Sequence, residues 1–215
     1  MRIRLFNAFV KLTALPVQWV CFRTKVYYED RAAQGKRIRG AAILISNHTS
    51  VFDYAVYLFV FFWRTLRFQM AEVLYTRKML GPFLRGMGGI KVNRNTFDFG
   101  FLAASQAILS SGGVVGVFPE SRLPRKGEER PLPFKTSAAF LALSSNAPVI
   151  PLYTNGSYFC QKRARVMVGK PFYARDLTDS ALSEKENIQR VSDAMRARVI
   201  DLGRLLDERT GAPVR

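Results

Sequence analysis

The chain has 215 residues, which fits one domain or one domain with an appendage, because chains usually split only beyond roughly 250 residues. Hydrophobic residues make up 48% of the sequence and charged residues 23%, so the chain can bury a sizeable core and is not disordered as a whole. With only two cysteines, Cys21 and Cys160, and one histidine, a disulfide framework and a structural zinc site are excluded.

The formal net charge is +17, and this excess is concentrated at the amino terminus. Residues 1–40 contain nine basic and two acidic side chains, and they include the most apolar part of the chain. Such a charge favours an anionic partner, which at this point can be nucleic acid or a membrane surface.

Residues 5–22 are largely apolar, but three polar residues interrupt them and basic residues flank them. A transmembrane helix needs about 20 mostly apolar residues, whereas a helix at the membrane interface tolerates such interruptions. We therefore predict an amphipathic or membrane-embedded helical segment within residues 1–39, followed by a domain at residues 40–215. The protein is then expected at the cytoplasmic face of a membrane, as a monotopic protein or with a single N-terminal helix. A packed core helix is the alternative for this segment.

The rest of the chain alternates short apolar runs with helical patterns, which is typical of an α/β fold. Strands are predicted at residues 41–46, 68–74, 90–92, 114–118, 148–152 and 165–168. Helices are predicted at residues 77–86, 97–110 and 135–145, and residues 54–63 are either a buried helix or an apolar surface that faces lipid. A last helix begins at the capping-box pair Ser183 and Glu186. The pattern predicts a mixed, largely parallel sheet flanked by helices.

His48 is the only histidine, and it directly follows the predicted strand 41–46. Asp53 comes five residues later, an offset of about 140° on a continuous helix, so the two can meet only if the chain bends between them. Thr49 or Ser50 would then supply the N-cap of the following helix. In that arrangement the carboxylate would fix the histidine tautomer, and the other ring nitrogen could accept a proton from a hydroxyl. A lone histidine near a capping aspartate is the other interpretation.

Four short motifs resemble those of the glycerolipid acyltransferase family, which includes the lysophosphatidate acyltransferases. They are NHTSVFD at 47–53, GGIKVNR at 88–94, VFPESR at 117–122 and VIPLY at 149–153. They occur in the family's order and together span about half of the chain. The resemblance implies that His48 is the catalytic base and that Asp53 orients it.

The resemblance also implies a substrate-binding set. Arg94, Arg122 and Lys135 would bind a phosphate, and Glu120 would bind glycerol oxygens of the acceptor or position the arginines. Ser121 belongs to the same motif, although the family usually has glycine there, so Arg125 or Lys126 could supply the cation instead of Arg122.

We therefore expect an enzyme that moves a fatty acyl group from acyl-CoA or acyl-carrier protein to a lysophospholipid, most simply 1-acylglycerol-3-phosphate. The thioester is a co-substrate, and no cofactor or metal is expected. Another lysolipid or an amino-lipid is an alternative acceptor, and a non-catalytic basic protein that binds membranes is the alternative class. Nucleic acid is not expected as a partner, because the aromatic residues cluster in uncharged runs such as LFVFFW rather than among basic residues.

Overall fold

The structure is a computed structural model that describes residues 1–93, 99–159 and 163–211. The strands of these residues are β1 (Lys25–Tyr28), β2 (Ala42–Ser46), β3 (Leu66–Ala71), β4 (Ile90–Val92), β5 (Val114–Val117), β6 (Val149–Thr154) and β7 (Arg165–Val168). The α-helices are α1 (Arg2–Thr13), α2 (Leu15–Val17), α3 (Asp53–Val60), α4 (Glu72–Tyr75), α5 (Leu80–Met87), α6 (Gly100–Ser110), α7 (Ser137–Ser145) and α8 (Glu184–Thr210). A π-helical turn covers Gln18–Phe22, and a 3₁₀-helix covers Ala174–Leu177.

Within the described residues the strands form one sheet in the order β1-β7-β6-β2-β5-β3-β4. The pair β6 and β7 is antiparallel, and every other neighbouring pair is parallel. The central strands β2 and β5 are buried along their whole length, as expected for parallel strands covered by helices on both faces. The predicted fold class, a mixed and largely parallel sheet flanked by helices, is confirmed.

The side chains of β2 alternate between two apolar cores, one on each face of the sheet. Ile43 and Ile45 pack with residues of α6, α7 and α8, whereas Ala42 and Leu44 pack with α3 and the N-terminal segment. This alternation follows from the two-residue repeat of a strand. Helices therefore cover both faces of the sheet at its central strands.

Helix α8 was predicted from local signals, and its capping box is confirmed. Ser183 accepts a hydrogen bond from the backbone N–H of Glu186, and the Glu186 carboxylate accepts one from the backbone N–H of Ser183. The buried stripe of the helix consists of Val191, Met195, Val199, Leu202 and Leu206. This stripe packs α8 against the sheet.

The N-terminal segment has the reverse of the usual burial pattern. Its polar residues Asn7, Lys11 and Gln18 are buried against the body of the protein. Seven of its large apolar residues are exposed instead: Leu5, Phe9, Leu12, Leu15, Val17, Trp19 and Val20. No single helix of the described residues is long and apolar enough to span a membrane, but α1 and Leu15–Phe22, bent by 48° at their junction, reach that length and hydropathy together.

Strand β1 was not predicted, and it lies inside the segment 1–39 that was assigned to the membrane. It is an edge strand, parallel to β7, so part of this segment belongs to the sheet. The division at residue 39 otherwise stays a prediction. The predicted strand 68–74 is also too long, because β3 ends at Ala71 and the next residues form α4.

The remaining sequence predictions fit the structure within a few residues. The apolar run 54–63 is a buried helix for most of its length, since α3 covers Asp53–Val60. The start of the helix predicted at 97–110 lies outside the described residues, and α6 begins at Gly100.

Candidate active site

The candidate site lies at the carboxyl end of β2, where parallel α/β sheets commonly place their ligands. Asn47 follows the strand and clamps it to β6, because its side-chain oxygen accepts a hydrogen bond from the N–H of Thr154 at 2.9 Å and its amide donates to the Thr154 carbonyl at 2.9 Å. The hydroxyl of Ser46 hydrogen-bonds to that of Tyr57 on α3. The start of the turn at residue 47 is thus held by both neighbouring elements.

The chain bends directly after Asn47 and brings His48 and Asp53 into contact. Nδ1 of His48 lies 2.9 Å from Oδ2 of Asp53, with the aspartate side chain fully buried and the histidine side chain 18% exposed. The same carboxylate accepts hydrogen bonds from the N–H groups of Thr49 at 2.6 Å and Ser50 at 2.9 Å. The Thr49 hydroxyl also donates to Oδ1 at 2.8 Å, so backbone and side-chain groups of the turn together fix this carboxylate in place.

The prediction that Thr49 or Ser50 caps α3 was wrong. The N-cap position is occupied by Phe52, which has no capping side chain, and Asp53 is the first helical residue. The carboxylate accepts the turn's N–H groups itself and carries its negative charge at the positive end of the helix. It therefore holds the turn before the helix and the imidazole at the same time.

The imidazole of His48 is also fixed from the side. Its ring stacks on that of Phe118, with centroids 4.2 Å apart and an angle of 16° between the planes. Because Nδ1 faces the carboxylate, Nε2 is the ring nitrogen left for chemistry. This arrangement suits a general base that must meet a hydroxyl in one orientation.

Tyr158 contacts the pair and was missed by the sequence interpretation. Its hydroxyl donates a hydrogen bond to Oδ1 of Asp53, and its ring packs edge-on against Phe22 with centroids 5.4 Å apart. Burial raises the pKa of Tyr158 well above its usual value, so the phenol remains a donor at neutral pH. The residue lies in a loop five positions after the fourth motif, where nothing in its spacing points to Asp53.

Glu120 is buried behind the turn that carries His48. Its Oε1 accepts a hydrogen bond from the backbone N–H of His48 at 2.7 Å, and its Oε2 accepts one from the N–H of Leu132 at 2.8 Å. Burial is the main effect on this carboxyl and raises its pKa. Both oxygens thus accept hydrogen bonds from backbone, and no arginine within the described residues donates a hydrogen bond to Glu120.

Arg122 instead pairs with Glu128 in the same loop. The guanidinium donates to both carboxylate oxygens, at 2.7 and 2.8 Å, and these hydrogen bonds lower the pKa of Glu128 to about 2. Ser121 has a φ of 59°, the left-handed conformation that favours glycine, which explains why a glycine would fit there. Lys135 ends this loop with an exposed side chain, and its backbone N–H donates to the Pro119 carbonyl at 2.9 Å.

The structure therefore brings His48, Asp53 and Glu120 together, whereas among the described residues no hydrogen bond joins Arg122 or Lys135 to them. Arg122 is engaged by a local carboxylate, and Arg94 lies outside the described residues. The described part of the chain holds no group of three or more His, Cys, Asp or Glu residues that could bind a metal ion.

A cavity of about 690 Å³ adjoins the turn, because Asn47 and Thr49 line it. Its basic lining residues are Arg130, Arg163 and Arg165, and its acidic ones are Glu128, Glu129 and Asp207. None of these arginines was identified from the sequence. Only their position distinguishes them, because Arg163 and Arg165 lie just before and at the start of β7 and Arg130 lies in the loop that carries Arg122.

Comparison with known proteins places this geometry in a family. The model of the acyltransferase family matches residues 23–155. The crystal structure of PlsC, the 1-acyl-sn-glycerophosphate (LPA) acyltransferase from Thermotoga maritima, is similar with a TM-score of 0.62 and 20% identity, over 93% of this chain and 79% of that one. No curated protein matches the sequence. Because the family model covers more than half of the chain, including His48, Asp53 and Glu120, this protein belongs to the acyltransferase family.

Proposed function

We propose that this acyltransferase moves a fatty acyl group from acyl-CoA or acyl-carrier protein to the free hydroxyl of 1-acylglycerol-3-phosphate, which yields phosphatidate. The observation that carries the proposal is the contact between His48, the only imidazole in the chain, and the buried carboxylate of Asp53. An imidazole oriented in this way can deprotonate an alcohol near neutral pH.

The reaction is a direct transfer between two substrates. Nε2 of His48 takes the proton of the acceptor hydroxyl as its oxygen attacks the thioester carbonyl carbon. The tetrahedral intermediate then collapses, the C–S bond breaks, and the imidazolium returns the proton to the departing thiolate. Asp53 stabilises the imidazolium and keeps the tautomer correct between these steps. The sequence has no G-x-S-x-G nucleophile elbow, which supports transfer without an acyl-enzyme.

The acceptor phosphate is assigned to three basic residues. Arg122, with Lys135 and Arg94, provides the charge, and the bidentate geometry of a guanidinium suits phosphate oxygens. The pair of Arg122 and Glu128 is solvent-exposed, so water and salt screen the attraction between its charges. A phosphate dianion can therefore displace Glu128 at little cost.

The site is proposed to work at the cytoplasmic face of a membrane. Val51, Phe52 and Phe159 are exposed apolar residues of the turn and of the loop that carries Tyr158. They continue into the N-terminal segment, because Phe52 and Phe159 both pack against Phe22. Each apolar side chain that enters lipid would contribute roughly 1.5–3 kcal/mol, which supports a segment that lies in or dips into the membrane.

The test is a transfer assay with the purified full-length chain. Free thiol is measured with acyl-CoA and with acyl-carrier protein, alone and with a panel of lysolipids, and products are identified by mass spectrometry. We expect thiol release only when a lysolipid is present, with phosphatidate as the best product. If another lysolipid or an amino-lipid is the best substrate, the proposed acceptor is wrong. If no acceptor causes thiol release, the protein is better explained as a non-catalytic membrane-binding protein.

A further inference from the structure

A second cavity, of about 500 Å³, lies at the opposite end of the sheet from His48. It is bounded by α1 and by the amino-terminal ends of β3 and β5, where Thr65 and Val114 line it. Four basic residues line it: Arg4, Lys11, Arg64 and Arg67. None of the described residues that line this cavity is acidic, and we therefore call it the basic cavity.

Lys11 is the most buried of the four, with 3% of its surface exposed. Its ammonium donates to the carbonyls of Phe62 at 2.9 Å and Arg64 at 2.6 Å, just beyond the end of α3. The two carbonyls accept hydrogen bonds from the ammonium but carry no negative charge. Burial lowers the pKa of Lys11 to about 8. An ammonium held in this way stabilises any anion that enters the cavity beside it.

Arg64 adds a second desolvated cation. Its guanidinium donates to the carbonyls of Gly40 and Gly112, both at 2.7 Å, while its Nε is buried without a hydrogen-bond partner. Burial lowers the pKa of Arg64, and the nearby charge of Arg4 lowers it further. Within the described residues none of the four basic side chains forms an ion pair, so their mutual repulsion is not relieved by a carboxylate.

The rim of the basic cavity is apolar and faces outward. Leu12 and Trp63 line it, and they are 59% and 72% exposed. Phe9, one turn before Leu12 on α1, is 64% exposed. A cationic interior beside exposed aliphatic and aromatic groups matches a phosphate headgroup joined to acyl chains.

We propose that the basic cavity binds the phosphate of an anionic phospholipid, at a lipid site separate from the site of acyl transfer. The guanidinium groups of Arg4 and Arg67 donate to the phosphate oxygens, in the geometry that makes such pairs strong. The acyl chains lie along Leu12 and Trp63. Because one wall of the cavity is α1, the bound lipid ties this helix to the sheet.

Trp63 provides a local probe of this site. In a Trp19→Phe background it is the only tryptophan, and its fluorescence is followed during titration with monomeric dihexanoyl phosphatidate. We expect a saturable change that is weakened at least tenfold by the double substitution Arg4→Gln with Arg67→Gln. The matched control, Arg2→Gln with Arg77→Gln, removes two exposed arginines that do not line the basic cavity, and its apparent Kd should stay within twofold.

Four further measurements separate lipid binding in the basic cavity from other causes of a fluorescence change. His48→Ala should keep the full fluorescence response, which makes the result independent of catalysis. If the double variant does not fold, Arg4→Gln is tested alone, and it should weaken binding. Inorganic phosphate and dihexanoyl phosphatidylcholine should each bind at least tenfold more weakly than the phosphatidate. Equal weakening in the two double variants, a response that does not saturate, or inorganic phosphate binding as tightly as the lipid would overturn the proposal.

Discussion

The two ends of the sheet treat buried charge in opposite ways. At the carboxyl end, the carboxylates of Asp53 and Glu120 are buried, and each accepts hydrogen bonds from the turn that carries His48. At the amino end, Lys11 and Arg64 are held only by carbonyl oxygens and have no counter-ion among the described residues. The buried carboxylate of Asp53 has an ionisable partner in His48 and so fixes a geometry, whereas the buried cations have no such partner among the described residues and leave room for a ligand.

The largest effect is expected from breaking the carboxyl end at His48. His48→Ala removes the only imidazole and should lower kcat roughly 10²- to 10⁴-fold, the usual loss of general-base catalysis. The rate of thiol release measures it, and an unchanged melting temperature shows that the fold is intact. Turnover within twofold of the wild type would remove His48 from the mechanism.

A slightly smaller loss of kcat is expected from Asp53→Asn. The amide presents one oxygen where the carboxylate accepts from Thr49, Ser50 and the imidazole, so the histidine tautomer is no longer fixed. The exposed aspartate of α8 gives a matched control, Asp193→Asn, which should leave kcat unchanged. Equal rates for the two variants would show that the carboxylate has no role in orienting the base.

Glu120→Gln should act on stability before it acts on substrate binding. The glutamine amide would face one of two backbone N–H donors, from His48 or Leu132, and an unpartnered buried donor costs about 1–3 kcal/mol. Urea unfolding measures this loss, with Glu129→Gln in the exposed part of the loop as the control. If the acceptor KM changes while unfolding does not, Glu120 contacts substrate rather than holding the turn.

Arg122→Ala should raise the KM for 1-acylglycerol-3-phosphate about tenfold, as expected for a lost charge-assisted hydrogen bond. The KM for the acyl donor should remain the same, and Lys185→Ala, which removes an exposed cation at the start of α8, serves as control. Glu128→Gln should lower the acceptor KM, because it frees the guanidinium. An acceptor KM that does not respond to either change would point to the arginines of the 690 Å³ cavity instead.

The smallest effect concerns the amino end and its pH dependence. The pKa of Lys11 is about 8 in the folded protein and near 10.5 when unfolded, so the unfolded state binds more protons between these values and stability rises with pH. From pH 7 to about 8.5 the wild type should gain roughly 1 kcal/mol of unfolding free energy relative to Lys11→Met. Equal pH dependence of the two proteins would mean that a counter-ion already neutralises Lys11.

Features whose signals lie within one segment could be predicted from the sequence, whereas features that depend on tertiary packing could not. Helix α8 was recognised because its cap and its buried stripe are signals within one segment. Strand β1 was missed because it is short, only partly buried and paired with a distant strand. The contact of His48 with Asp53 could be anticipated as a bend, but the hydroxyl of Tyr158 reaches the carboxylate through tertiary packing alone.

The polar residues that interrupt the apolar N-terminal segment face the protein and not its surroundings. Lys11 and Asn7 lower the hydropathy of the segment and suggest contact with water, yet both are buried against the protein, where they bond to the carbonyls of Phe62, Arg64 and Met87. A sequence pattern reports that a helix has two faces, but it does not say which face meets the protein.

The pairing of β1 with β7 sets an order of events during synthesis. Lys25 lies opposite Arg165, so β1 has no neighbour until the later strand has left the ribosome. At synthesis rates of about 5–20 residues per second, this interval lasts roughly 7 to 28 s. The carbonyls of Phe62, Arg64 and Met87, which cover the polar side of α1, are synthesised well before β7, so α1 can dock on the protein before β1 gains its neighbour.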